Sequence, residues 1–135
     1  MEHWLGEVER KLGIDVVEAS GRGATARMSV AGNTQVHGLL HGGATMALGE
    51  FVGSLAASLH AAEQGKHAVG IEISGSHHHG VRDGWVTARA CPVHLGRTVA
   101  TYEVAVTDEA SRRISTIRIT AALVDPPQTR PPTAP

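Results

Sequence analysis

Gln35-Val-His-Gly-Leu-Leu-His41-Gly42-Gly43-Ala-Thr-Met-Ala-Leu-Gly-Glu50-Phe-Val-Gly-Ser54 is the stretch on which the reading of this chain turns. From Gly42 to about Glu63 the sequence is rich in Ala, Leu, Met and Val and has no proline. That span is long enough for about six helical turns. Met46, Phe51, Val52, Leu55 and Leu59 supply its large apolar groups, while Gly43, Ala44, Ala47, Gly49, Gly53, Ala56 and Ala57 supply almost no side chain. Each glycine inside a helix costs roughly 1 kcal/mol. A helix that accepts three of them is expected to be buried and packed closely on a sheet.

The flanks supply that sheet. Residues 2–12 place Trp4, Leu5, Val8 and Leu12 at helical spacing, and Gly13 ends a short helix. Ile14 to Glu18 and Ala24 to Val30 are predicted strands around the turn Ser20-Gly21-Arg22-Gly23. After the long helix come four more β-rich runs, Val69 to Ser74, Trp85 to Val93, Thr98 to Thr107 and Ile114 to Val124. Asp83-Gly84, Leu95-Gly96-Arg97 and Asp108-Glu109-Ala110 separate them and are predicted hairpin turns. The expected architecture is α+β, with about six antiparallel strands curved around one long central helix. Residues 1–124 form one domain in this reading. Residues 125–135 hold five of the six prolines and are expected to be a disordered tail. A single sheet leaves open edges, which points to pairing into a homodimer.

Composition narrows the function. With 12 basic and 13 acidic residues the formal charge is −1, without the basic surplus of a nucleic-acid binder. Aromatics make up 3%, so the core must come from Val, Ile, Leu and Ala. The single Cys91 suits a reducing compartment and is expected to be a buried structural thiol. Neither a secretory signal nor an apolar run of ~18 residues is seen, so a soluble cytoplasmic protein with no membrane partner is expected.

The side chains then carry chemistry. Gly42 stands where the long helix begins. Its N–H has no intrahelical acceptor and lies at the positive end of the helix dipole, which suits an oxyanion. Glu50 is a lone carboxylate among apolar neighbours, costly there without a partner or a task. Partial burial would raise its basicity. Ser54, four residues on, shares its face. His41 and Glu50 are nine positions apart, so they stand on opposite sides of the helix with about 13.5 Å of axial rise between them. One chain struggles to place both on one small carbonyl, which favours a site shared between subunits, Gly42 and Gln35 from one facing Glu50 from the other. In the run His77-His78-His79 only alternate residues share a face. No Cys or carboxylate completes a ligand set with His77 and His79, so no metal or other cofactor is expected. Glu72 is read as a strand or interface carboxylate.

The segment Gly-x-x-His-Gly-Gly-Ala at 38–44, the acidic residue nine positions after His41, Gly-Ile-Glu-Ile at 70–73, His77, and Pro-Val-His-Leu-Gly-Arg at 92–97 occur in this order. In these blocks the chain resembles the hotdog-fold acyl-CoA thioesterases of the PaaI-like (phenylacetate-pathway) and 4-hydroxybenzoyl-CoA thioesterase group, over residues 13–124. The resemblance implies hydrolysis of an acyl-coenzyme A, with an aryl or arylacetyl group as first choice. It implies Glu50 as the catalytic carboxylate, nucleophile or general base, and Gly42 as the backbone oxyanion donor. Gln35 and His41 would position the thioester or water, and Ser54 is the polar residue one turn after the carboxylate. His77 would lie near the coenzyme arm and the Gly96-Arg97 turn near the phosphates. Arg82 and His79 join the first basic cluster and His94 the second. Many relatives carry Arg where this chain has His79. The group places its sites at dimer interfaces, so a homodimer or dimer of dimers is implied. Two rival readings are a hotdog-fold enoyl-CoA hydratase or dehydratase and a non-catalytic acyl-CoA-binding module. The His-Gly-Gly with Glu nine residues later argues against the first. The intact polar set at 35, 41, 50 and 54 argues against the second.

Overall fold

The computed structural model describes residues 2–127. The chain runs through a 3-10 turn (Glu2–Trp4), α1 (Glu7–Leu12), β1 (Ile14–Ser20), β2 (Gly23–Ser29), α2 (Gly42–Ala62), β3 (His67–His77), β4 (Trp85–Leu95), β5 (Val99–Thr107) and β6 (Arg113–Val124). The six strands form one antiparallel sheet in the order β1-β2-β4-β5-β6-β3. The 21-residue α2 lies against all six of them. This is the α+β arrangement expected, a curved sheet wrapped on one helix.

The core follows from the alternation of small and branched side chains. Met28, Val86, Val104, Ile117 and Ile119 point inward from the sheet and meet Leu48, Phe51, Val52 and Leu55 of α2. Gly49 and Gly53 mark the closest approach. A Cβ added at Gly49 would collide with Ile117, and one at Gly53 with Ile119. Their helix cost is thus offset by dispersion contacts that a larger residue would forbid. Tyr102, fully buried, donates its hydroxyl to the Gly21 carbonyl at 2.6 Å and ties the β1–β2 turn to β5.

Several expectations are corrected. The helix over 2–12 is two pieces, broken at Gly6, whose extended backbone caps α1 and donates its N–H to Glu9 Oε2 at 2.8 Å. Asp83-Gly84 is not a hairpin turn. β3 pairs with β6, and residues 78–84 cross the sheet to deliver β4 beside β2. The turns at 95–97 and 108–110 do join hairpins, β4–β5 and β5–β6. Cys91 is exposed, not buried. Val86, Ala88 and Ala90 take the inward places on β4, and strand alternation sends residue 91 outward. Residues 125–127 have no regular structure, and 128–135, most of the proline-rich tail, lie outside the described residues. Among the described residues no helix is long and apolar enough to cross a membrane.

Candidate active site

The loop before α2 is fixed by its own hydrogen bonds. Asn33 Nδ2 donates to the carbonyls of Leu12 (2.7 Å) and Ser29 (2.8 Å). Gln35 N–H donates to Leu39 O at 2.8 Å, and Gln35 Oε1 accepts the His37 N–H. Leu40 N–H reaches Val81 O at 2.7 Å. The chain therefore arrives at His41 in one conformation. His41 is the N-cap, and its Nδ1 accepts the Gly43 N–H at 2.8 Å. Its ring nitrogen thus caps the helix start.

Gly42 is the first residue of α2, and no acceptor among the described residues takes its N–H. The Gly42 backbone borders a cavity of about 270 Å³ with Gln35, Thr45, His77 and Ser115 as polar lining and Leu39, Leu40, Val81 and Ile114 as apolar wall. His77 closes the side next to Gly42. Its Nε2 lies 3.0 Å from where a Cβ on Gly42 would stand, so the absence of a side chain there leaves room for the imidazole. His77 Nδ1 lies 2.8 Å from Ser115 Oγ, and His78 Nε2 lies 2.9 Å from Thr116 Oγ1. His79 lines the same cavity, and Arg82 Nη1 donates to His37 O at 3.3 Å. His41 faces a different, more apolar cavity of about 390 Å³ with Val8, Leu12, Ala44 and Ala47.

Glu50 is not in either cavity. It is exposed within the single chain, against the partial burial expected, because α2 buries the faces carrying Gly49, Phe51, Val52 and Gly53 and turns Glu50 toward the sheet edge. Met46, Glu50 and Ser54 form an i, i+4 stripe beside β3. Met46 Sδ lies 2.7 Å from the Cβ position of Gly75, and Glu50 Oε1 lies 3.6 Å from that of Gly70, where β3 bulges. Among the described residues Glu50 makes no hydrogen bond or ion pair. The second basic cluster lies elsewhere again. Lys66 Nζ donates to Arg97 O at 2.6 Å and His60 Nε2 lies 2.8 Å from Gly96 O, so His94, Gly96 and Arg97 sit at the C-terminal end of α2. The helix separates them from Gly42 by roughly 30 Å.

One chain thus brings together Gln35, Gly42, His77 and His79, and leaves Glu50, Ser54 and the His94–Arg97 hairpin outside. Sequence reading missed Ser115 and Thr45. Both are short hydroxyl residues inside an element, and only the register of β3 on β6, which sets His77 across from Ser115, gives the serine a neighbour. Among the described residues no three metal-ligating side chains converge.

The sequence profile of the Thioesterase superfamily matches residues 37–115. The chain is 42% identical to the proofreading thioesterase EntH of Cronobacter sakazakii over 125 residues, which cover 92% of this chain and 85% of that one. Its fold superposes on a thioesterase from Haemophilus influenzae with a TM-score of 0.85 at 34% identity, covering 92% of this chain and 87% of the other. A mutant of the phenylacetic acid degradation protein PaaI from Thermus thermophilus gives a TM-score of 0.78 at 28% identity, covering 87% and 98%. With an unpaired amide at the start of a helix cradled by six strands, and with these relatives, the chain belongs to the thioesterase superfamily and is a thioester hydrolase of the hotdog fold.

Proposed function

We propose that this thioesterase hydrolyses an acyl-coenzyme A, with an aryl or arylacetyl group, to the free acid and coenzyme A. The observation that carries the reading is that Gly42, whose N–H has no acceptor among the described residues, lines a cavity together with Gln35. A thioester carbonyl seated there accepts that N–H at the positive end of α2, where charge develops during attack. Glu50 attacks the carbonyl carbon or removes a proton from the attacking water. The C–S electron pair leaves with the coenzyme thiolate, which takes up a proton; where Glu50 is the nucleophile, water then cleaves the acyl–Glu50 anhydride to release the acid and restore the carboxylate. Ser54, one turn on, orients Glu50 or its water.

Because Glu50 and Gly42 point to different places in one chain, the working site pairs Gly42 and Gln35 with the partner subunit's Glu50. The edge strand β3 supports this assembly. Val69 is 50% exposed and Ile71 60%, an apolar edge that a second copy would cover. The two basic clusters serve one coenzyme arm on the same condition, His77, His79 and Arg82 from one chain and His94, Gly96 and Arg97 from another. The phenylacetic acid degradation relative supports the arylacetyl choice, and one cysteine in the chain supports a reducing, cytoplasmic setting.

The test is thiol release from aryl, medium-chain and long-chain acyl-CoAs. Glu50→Ala is expected to lower kcat by about 10²- to 10⁴-fold with an unchanged circular dichroism spectrum, since the side chain is exposed. Full activity in that variant would sink the assignment. Loss of enoyl-CoA absorbance without thiol release would favour a hydratase, and saturable binding without turnover a binding module.

A further inference from the structure

Ser115 is 1% exposed and stands on β6 directly across from His77. His77 Nδ1, at 2.8 Å, is the one hydrogen-bond partner of its hydroxyl among the described residues. A buried O–H left unpaired carries its full desolvation cost. Ser115 therefore donates to Nδ1, and in the neutral ring the proton sits on Nε2. That nitrogen is the one turned toward Gly42, 3.0 Å from its Cβ position, and both residues line the same cavity.

We propose that Ser115 is a positioning residue that holds His77 in its Nε2–H form, so that His77 donates a second hydrogen bond to the thioester oxygen beside the Gly42 N–H. The inference rests on the thioesterase reading above and moves His77 from the coenzyme arm to the reacting carbonyl. In the step itself the nucleophile's electron pair forms the new bond to carbon and the carbonyl π pair moves onto oxygen. Both N–H groups bind that oxyanion without giving up their protons. When the carbonyl re-forms, the C–S pair departs as thiolate. A single helix-terminal amide supplies one donor, and the imidazole supplies the second that an oxyanion can use.

The experiment combines nitrogen-15 spectra of the histidine rings, at a pH where His77 is neutral, with kinetics on an acyl-CoA. The unmutated protein is expected to show His77 protonated on Nε2, and Ser115→Ala to shift the ring toward the Nδ1 form. His77→Ala is expected to lower kcat by about 10²-fold, and Ser115→Ala by roughly tenfold, with KM little changed. The double variant is expected to lose no more than His77→Ala alone, because Ser115 acts only through the ring. Ser115→Cys, of similar volume and with a weak donor, replaces Ser115→Ala if the latter does not fold. A ring protonated on Nδ1 in the unmutated protein, an unchanged kcat in Ser115→Ala, or losses that add in the double variant would each overturn the proposal. Absence of turnover in the unmutated protein would overturn the functional reading and the donor role together. Turnover there with an unaffected Ser115→Ala overturns the donor role alone.

Discussion

Tyr102 is the largest fully buried side chain, and its hydroxyl meets the Gly21 carbonyl at 2.6 Å. Burial, with the nearby Glu63 charge second, pushes its pKa from 10.0 up to about 12. The fold thus favours the neutral phenol. Its contribution to stability is fully present below pH 10 and is lost as pH rises through about 12. Tyr102→Phe is expected to remove that alkaline loss and to cost about 1–3 kcal/mol at neutral pH, because the Gly21 carbonyl loses its donor. Urea titrations at neutral pH and near pH 11 check both, and matching midpoints for the two proteins at each pH would refute it. Asp108, in the β5–β6 turn, is held below the usual carboxylate range first by the Arg112 backbone N–H and then by the Arg112 side chain and the Ala110 N–H, with its slight burial opposing them. At this scale the place of Gly42 at the start of α2 was legible, since an unpaired amide there follows from helix geometry alone. It failed for Cys91 and for the burial of Glu50, because which face of an element turns inward is set by its neighbours.

Between elements, α2 and β6 approach closely where Gly49 meets Ile117 and Gly53 meets Ile119. Gly53→Ala trades a gain of about 1 kcal/mol in helix propensity for a collision with Ile119. Overpacking is expected to win, leaving a net destabilisation of roughly 1–2 kcal/mol, and thermal or chemical denaturation measures it. A more stable variant would show that the helix can lift off the sheet without cost. The small-residue pattern of α2 was legible because such a pattern has few other uses. Strand existence was legible from alternation and turn residues. Pairing was not. Asp83-Gly84 has the composition of a hairpin turn, yet Gly84, at a φ of 79°, ends a crossing segment, and its carbonyl accepts the Val30 N–H at 2.9 Å. Local turn chemistry specifies a bend and does not say which strand comes next to which.

At the scale of the molecule, the proposed site has its halves on different copies. An equimolar, co-refolded mixture of Glu50→Ala and Gln35→Ala should then contain mixed dimers with one intact site each. Random pairing gives roughly a quarter of wild-type activity. A mixture no better than the average of the two variants would place the site within one chain. The order of the strands has one more consequence, in time. β3 is made well before β6, yet among the described residues β6 is its one backbone partner in the sheet. For some forty residues of synthesis β3 has no ladder to join, and His77 waits without the serine opposite it. Such long-range closure is the slow part of folding β-rich chains. The strand that pairs with the sheet's edge also finishes the cavity beside Gly42, so a growing chain closes its sheet and its own half of the proposed site in the same event.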